Sequence, residues 1–297
     1  YGELERLTDA FAAALVDLGV KKGDCVALLL PNCPQFIIAE LGAWKAGAIV
    51  SPLNPIYTER ELEGPLANCG AEVIVTLTLF YQRVKAIQPN SRLKRVIATN
   101  IKEYLPPVLR VLFTLVKEKK EGHRIELQPN DLWFGDLLKA KAGAPRPNVS
   151  VGPEDPAVIL LSGGTTGTPK GAVGLHRSYV ASGLQLYTWV AQILKEWQET
   201  LMLPLPLFHV YANVGIQSVA FVSHNTMSLI PNPRDIKDLL HTIRQVRPSF
   251  FVSVPTLFIA LFNHPDVKAG KIDFTSIKSC ISGAAPLLAE TKKTFET

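Results

Sequence analysis

Residues 162–171 read Ser162-Gly163-Gly164-Thr165-Thr166-Gly167-Thr168-Pro169-Lys170-Gly171, which puts backbone freedom, hydroxyl donors and one cation within ten positions. The apolar run 157–161 before them predicts a short buried strand that delivers the loop. Glycine permits positive φ and lets several N–H groups converge on one oxygen cluster, while the hydroxyls donate and lysine adds a mobile charge. No carboxylate is present to repel an anion, so the composition suits a polyphosphate. The spacing differs from a Walker A loop, in which Gly precedes Lys and Ser or Thr follows it, because Lys170 stands between Pro169 and Gly171. A Gly/Thr-rich hairpin turn is the plain alternative, and the appended Pro-Lys-Gly favours phosphate.

Other residues could complete such chemistry. His209 sits in Pro206-Leu-Phe208-His209-Val210-Tyr211, a kinked apolar segment just after an expected strand, where a side chain can face a cleft. His123, His176, His224, His241 and His264 read as structural, and no His/Cys spacing suggests a transition-metal site. Val254-Pro255-Thr256 opens a helix after a strand. Ser282-Gly283-Ala284-Ala285-Pro286-Leu287 is a small-residue turn that a flat ring can approach, although a plain strand-to-helix turn has the same composition. Neither Ser162 nor Ser282 lies in Gly-x-Ser-x-Gly, which argues against a serine hydrolase.

The loop 162–171 closely resembles the nucleotide-binding loop of the adenylate-forming superfamily, which holds acyl-CoA synthetases, luciferase and nonribosomal peptide adenylation domains. The likeness runs through Tyr1-Gly-Glu-Leu4, Leu30-Pro-Asn-Cys-Pro-Gln-Phe36, Gly42-Ala-Trp-Lys-Ala-Gly-Ala48 and Pro52-Leu-Asn-Pro55. Residues 89–134 resemble the insertion of prokaryotic long-chain fatty acid CoA ligases, so the likeness favours a fatty acyl substrate. By this resemblance Ser162, Gly163, Gly164, Thr165, Thr166, Gly167 and Lys170 hold the nucleotide, with Ser162 towards Mg²⁺ and Lys170 and His209 in catalytic roles. His209, Val210, Tyr211 and Val254 are then the substrate pocket, and Gly283, Ala284 and Ala285 pack on adenine. The loop departs from the commoner Thr-Ser-Gly-Thr-Thr-Gly form, although Ser162 keeps a hydroxyl at the position turned towards the metal.

These residues need a scaffold. Leu4, Leu7, Phe11, Ala14, Leu15 and Leu18 recur at helical spacing, and Gly19 closes the run. The spacing predicts strands at 25–30, 48–50, 73–77, 95–98, 200–203, 227–230, 250–254 and 279–281, alternating with helices at 36–44, 177–194 and 287–295 among others. Thr58 with Glu61 forms a capping box. Apolar strands alternating with helices imply an α/β fold with two mostly parallel sheets flanked by helices, as in the stacked sub-domains of the adenylate-forming N-terminal domain. The expected division is 1–180 and 181–297, with residues 1–20 able to pack with the second sub-domain, residues 90–130 inserted, and the loop at the seam.

Composition bounds the rest. The chain has 297 residues, a hydrophobic share of 47% and net charge +5, so a sizeable core can form. Residues 83–124 hold 11 Lys/Arg against three Asp/Glu and make the protein basic. Without interleaved aromatics or a reader motif this does not signal nucleic-acid binding. Residues 104–116 are nearly all apolar and run into Lys117-Glu-Lys-Lys120, too short for a bilayer span of about 20 residues. An inserted helix packed on its own domain is one reading. The other is a peripheral membrane contact through 101–122, on a cytoplasmic protein at the inner face of the membrane. Cys25, Cys33, Cys69 and Cys280 fit reduced thiols.

The resemblance implies ATP-dependent activation of a fatty acid to an acyl-adenylate and then to acyl-CoA, with ATP, Mg²⁺ and coenzyme A. The family's Tyr-Gly-x-Thr-Glu motif, ribose aspartate, hinge and C-terminal domain with its catalytic lysine do not occur before Thr297, so the chain reads as a truncated one that forms no acyl-CoA alone. Noncatalytic nucleotide or acyl binding, an aryl-CoA ligase and amino acid adenylation are the alternatives.

Overall fold

The computed structural model describes residues 1–162 and 170–296 and divides the chain into two units, Tyr1–Ser178 and Tyr179–Thr297. In the first unit α1 (Gly2–Asp17) leads to β1 (Cys25–Leu29), α2 (Pro34–Lys45), β2 (Ile49–Pro52), α3 (Glu59–Cys69), β3 (Val73–Leu77), α4 (Tyr81–Ile87) and β4 (Arg95–Thr99). Then come α5 (Pro107–Leu112), prolonged by a π-helical turn Phe113–Lys117, β5 (Leu132–Trp133), α6 (Phe134–Ala140), β6 (Pro156–Leu161) and β7 (Gly171–Leu175), after which α7 (His176–Val190) begins at the end of this unit and runs mostly through the second. The seven strands form one sheet in the order β5-β4-β3-β1-β2-β6-β7, parallel except for the antiparallel pair β6–β7.

The chemistry of the strands explains that order. All five residues of β1 and of β3 are buried, as a strand covered on both faces requires. Each fully buried aliphatic side chain there contributes about 1.5–3 kcal/mol of hydrophobic stabilisation. The core gathers Ala27, Leu29, Leu62, Ile74, Tyr81, Val84 and Val96. On the other side Phe11 of α1 meets Phe134 of α6 at 4.8 Å, and the absent Cβ of Gly42 lets α2 approach Phe11. Both parts of the predicted capping box are present at α3, where Thr58 accepts from the Glu61 N–H and Glu61 accepts from the Thr58 N–H at 2.8 Å. Gly70 ends that helix in the left-handed region at φ 62°.

The second unit continues with β8 (Thr200–Leu203), a π-helical segment Tyr211–Gln217, α8 (Ser218–Val222), β9 (Thr226–Leu229), α9 (Ile236–Val246) and β10 (Phe250–Ser253). It closes with α10 (Pro255–Asn263), α11 (Pro265–Lys268), β11 (Ser279–Ser282) and α12 (Ala289–Glu296). Its four strands are all parallel, in the order β11-β10-β8-β9. Met202, Ile230, Leu239, Ile243, Phe251 and Phe258 form its core.

Two local features differ from the sequence reading. Residues 171–175 form a strand, which the two glycines in Gly-Ala-Val-Gly-Leu conceal. The apolar helix after residue 104 does not pack through its apolar side. Val108, Leu109, Val111, Leu112, Leu115 and Val116 are exposed, and the helix is held by Phe113, whose ring lies 5.3 Å from that of His123, and by polar contacts of Thr114, Arg110 and Glu118.

Candidate functional site

The loop singled out in the sequence connects the paired strands β6 and β7. Strand β6 is fixed from behind by the Trp44 indole N–H, which donates to the Ala157 carbonyl at 2.7 Å, and by the Ser51 hydroxyl, which donates to the Ile159 carbonyl at 3.3 Å. Leu161 pairs with Gly171, and two bonds close the hairpin beyond them. The Ser162 N–H donates to the Lys170 carbonyl at 2.8 Å, and the Lys170 N–H donates to Ser162 Oγ at 3.2 Å. Both side chains are exposed. Gly163, Gly164, Thr165, Thr166 and Gly167 lie outside the described residues. The hairpin thus holds the ends of the loop, Ser162 and Lys170, in hydrogen-bonded register with a hydroxyl and an ammonium facing solvent.

In the second unit the carboxyl ends of β10 and β11 meet, the general position of ligands in open parallel sheets. Ser253 stands opposite Ser282 in the strand register, and the Gly283 N–H donates to the Ser253 carbonyl at 3.0 Å. Gly283 is in contact with Tyr211: a Cβ placed there would lie 2.7 Å from the phenol Cζ and still closer to the hydroxyl. The hydroxyls of Tyr211, Ser253 and Ser282 are buried without a hydrogen-bond partner among the described residues. Burial raises the Tyr211 pKa above its ordinary value, so the phenol keeps its proton at neutral pH and remains a donor. Buried hydroxyls are costly unless something bonds them, so these three are candidate groups for a polar ligand. Ala284 adds a left-handed residue at φ 66°, a strained position for a side-chain-bearing residue.

His209 and Val210 lie in the turn before the π-helical segment and are exposed. The His209 N–H donates to the Pro206 carbonyl, and its own carbonyl accepts from Ala212 and Asn213. The Tyr211 N–H donates to His209 Nδ1 at 3.2 Å, so a neutral imidazole carries its proton on Nε2. Val254 lines an apolar hollow of about 480 Å³ with Leu205, Pro206, Ile236, Leu257 and Ala260, apart from Val210 and Tyr211. The structure therefore joins Tyr211 to Gly283, sets Ser253 opposite Ser282 by register, and places Val254 on a separate hollow. Sequence reasoning missed Ser253. Its signal was a hydroxyl at the last position of a parallel strand, two residues before the N-terminal proline of a helix. Among the described residues no group of three His, Cys, Asp or Glu side chains could hold a metal ion.

A mostly parallel α/β sheet with a Gly/Thr hairpin in one unit, and hydroxyl-rich strand ends in the other, is the N-terminal architecture of adenylate-forming enzymes. Solved structures share it: an anthranilate CoA ligase in complex with anthranoyl-AMP matches at TM-score 0.83 and 23% identity, over 99% of this chain and 51% of that one. The inhibitor-bound N-terminal domain of FACL13 from Mycobacterium tuberculosis matches at TM-score 0.78 and 25% identity, over all of this chain and 65% of that one. The chain belongs to the AMP-binding enzyme family, whose family model matches residues 1–297. Its curated relatives include the long-chain fatty acid–CoA ligase of Bacillus subtilis, 35% identical over 98% of this chain and 52% of that protein, and that of Escherichia coli O157:H7, 33% identical over 97% and 51%. The chain spans about half the length of these relatives.

Proposed function

We propose that the protein carrying this chain activates a long-chain fatty acid with ATP and transfers the acyl group to coenzyme A. The observation that supports this most is the match over 98% of this chain to the long-chain fatty acid–CoA ligase of Bacillus subtilis at 35% identity. The geometry is compatible with it. Lys170 and the loop amides of residues 163–167 would bind the phosphates, and their positive charge would offset the negative charge that develops as the carboxylate attacks the α-phosphate and pyrophosphate leaves. His209 would orient that carboxylate through Nε2–H. Gly283, Ala284 and Ala285 would receive the adenine, with the Tyr211, Ser253 and Ser282 hydroxyls as hydrogen-bonding groups, and Val254 would line part of the acyl path. Mg²⁺, with Ser162 as a candidate neighbour, would supply further neutralisation of phosphate charge. The location that fits such substrates is the cytoplasm.

The test is ATP–pyrophosphate exchange by the whole protein with palmitate, p-coumarate and amino acids as separate substrates. Exchange with palmitate that falls by at least about a hundredfold in Lys170→Ala is the expected result, the loss typical of one removed electrostatic contact. Exchange driven by p-coumarate alone would move the substrate to the aryl acids, a reading favoured by the 29% identity to a 4-coumarate–CoA ligase of Arabidopsis thaliana. ATP binding that Lys170→Ala abolishes, without exchange for any acid, would replace the enzyme by a nucleotide-binding module.

A further inference from the structure

The helix Pro107–Lys117 is amphipathic with its sides reversed relative to a packed surface helix. On the side that meets the domain, Phe113 is half-buried with its ring 5.3 Å from that of His123, and polar groups supply the other anchors. Lys102 Nζ donates to Thr114 Oγ1 at 3.2 Å and to both Glu118 carboxylate oxygens at 2.6 and 2.7 Å. Asn100 Nδ2 donates to Glu118 at 3.1 Å and to the His123 carbonyl at 3.2 Å, and Arg110 donates to the Lys102 and Glu103 carbonyls. The remaining arc carries Val108, Leu109, Val111, Leu112, Leu115 and Val116, with Leu115 77% and Val108 70% exposed. Contiguous apolar surface of this kind on a domain marks an interaction site.

The charge around it names the partner. Glu118 is neutralised by Lys102, and Glu121 lies 3.6 Å from Lys117. Glu103 is tied into the Asn100 capping box. All three acids of the 83–124 segment are thus engaged, while Lys119 and Lys120, just beyond the helix, are exposed and have no ion pair among the described residues. An apolar face ending in unpaired cations matches the boundary between acyl chains and anionic headgroups. A second copy of the same face would bring like charges together. No helix among the described residues is long and apolar enough to cross a membrane, so the contact would lie in the interface.

We propose that the Pro107–Lys117 helix is a docking surface for an anionic lipid bilayer, with Val108, Leu112 and Leu115 entering the acyl boundary and Lys119 and Lys120 meeting the phosphate headgroups. This inference does not depend on which carboxylic acid the enzyme activates. It is tested by co-sedimentation of the 297-residue chain with vesicles of phosphatidylcholine alone and with about a third phosphatidylglycerol. Wild type should partition at least about tenfold more onto the anionic vesicles and lose that preference in about 0.5 M salt. Leu112→Glu/Leu115→Glu should reduce partitioning at least about tenfold on both vesicle types, and Lys119→Glu/Lys120→Glu should remove the anionic preference. Both pairs are exposed, so far-ultraviolet circular dichroism should match wild type. The lysine pair carries the test by itself if the leucine pair unfolds. Equal partitioning of wild type and the lysine variant overturns the proposal. So does wild-type self-association, seen by sedimentation velocity and abolished by the leucine pair, in a chain that ignores vesicles.

Discussion

Tyr211 shows how much one side chain can reveal about a site. Its ring closes the gap over Gly283 while its hydroxyl, buried and protonated, has no acceptor among the described residues. Among the described residues, removing that hydroxyl takes away no bond. Tyr211→Phe should therefore leave the unfolding free energy from urea titration within about 0.5 kcal/mol of wild type, because no hydrogen bond among the described residues is lost. If the hydroxyl contacts the nucleotide, the same variant should weaken ATP binding about tenfold by titration calorimetry, the size of one lost hydrogen bond to a ligand. Gly283→Ala tests the gap from the other side. Its methyl would collide with the Tyr211 ring, and overpacking of this kind costs about 1–3 kcal/mol, readable as a lowered unfolding midpoint. A Gly283→Ala protein as stable as wild type would show that the turn is loose enough to absorb the methyl.

At the scale of elements, the β6–β7 hairpin positions the Gly/Thr loop, and β7 can lie where it does because two of its residues lack side chains. A Cβ at Gly174 would stand 2.9 Å from Val158 Cγ1, and one at Gly171 would stand 2.8 Å from Ile159 Cγ2. Val158 is buried and stiff at χ1, so it cannot move aside cheaply. Gly174→Val should lower stability by about 1–3 kcal/mol and weaken ATP binding together, since the ends of the loop move with the strand. Loss of stability with unchanged ATP affinity would mean that the hairpin does not hold the nucleotide. Thr58→Ala offers a contrast far from any proposed site: it removes the α3 capping box and should cost about 1 kcal/mol in denaturant melts with no effect on ATP. The helix Pro107–Lys117 belongs to this scale too, because periodicity showed an apolar helix but only its polar anchors, Lys102, Thr114 and Glu118, show which side faces outward.

For the molecule as a whole, acid sensitivity should have a traceable source in the second unit. Glu199 has almost no exposed side chain, and the half-exposed Lys278 ammonium lies 2.7 Å from it. Burial raises the Glu199 pKa, but the hydrogen bonds from Lys278, Ser249 and the Lys195 N–H outweigh it, and the net shift is downward. A lowered carboxylate contributes stability that is complete above its ordinary value and is lost as pH falls through the lowered one. Unfolding monitored between neutral pH and about pH 3 should therefore show destabilisation below the ordinary carboxylate range. Lys278→Ala should cost about 2 kcal/mol at neutral pH, discounted for the lysine's exposure, by leaving a buried charge unpaired. In that variant acidification should recover part of the loss, the opposite sign to wild type.

The sequence by itself determined the two mostly parallel sheets, most strand and helix positions and the α3 cap. These follow from information local to each segment: an apolar run between Gly and Pro, a hydroxyl three residues before a glutamate, or a helical spacing of leucines. Tertiary structure alone decided that residues 171–175 pair back on β6, that Ser253 stands opposite Ser282 while Tyr211 packs on Gly283, and that the helix after Pro106 turns its apolar side outward. Each of these depends on a partner distant in sequence, and neither propensity nor periodicity records which partner a strand edge, a hydroxyl or a helix face will meet. The loop 162–171 could thus be recognised from its residue types, whereas the hairpin that holds its ends needed the fold.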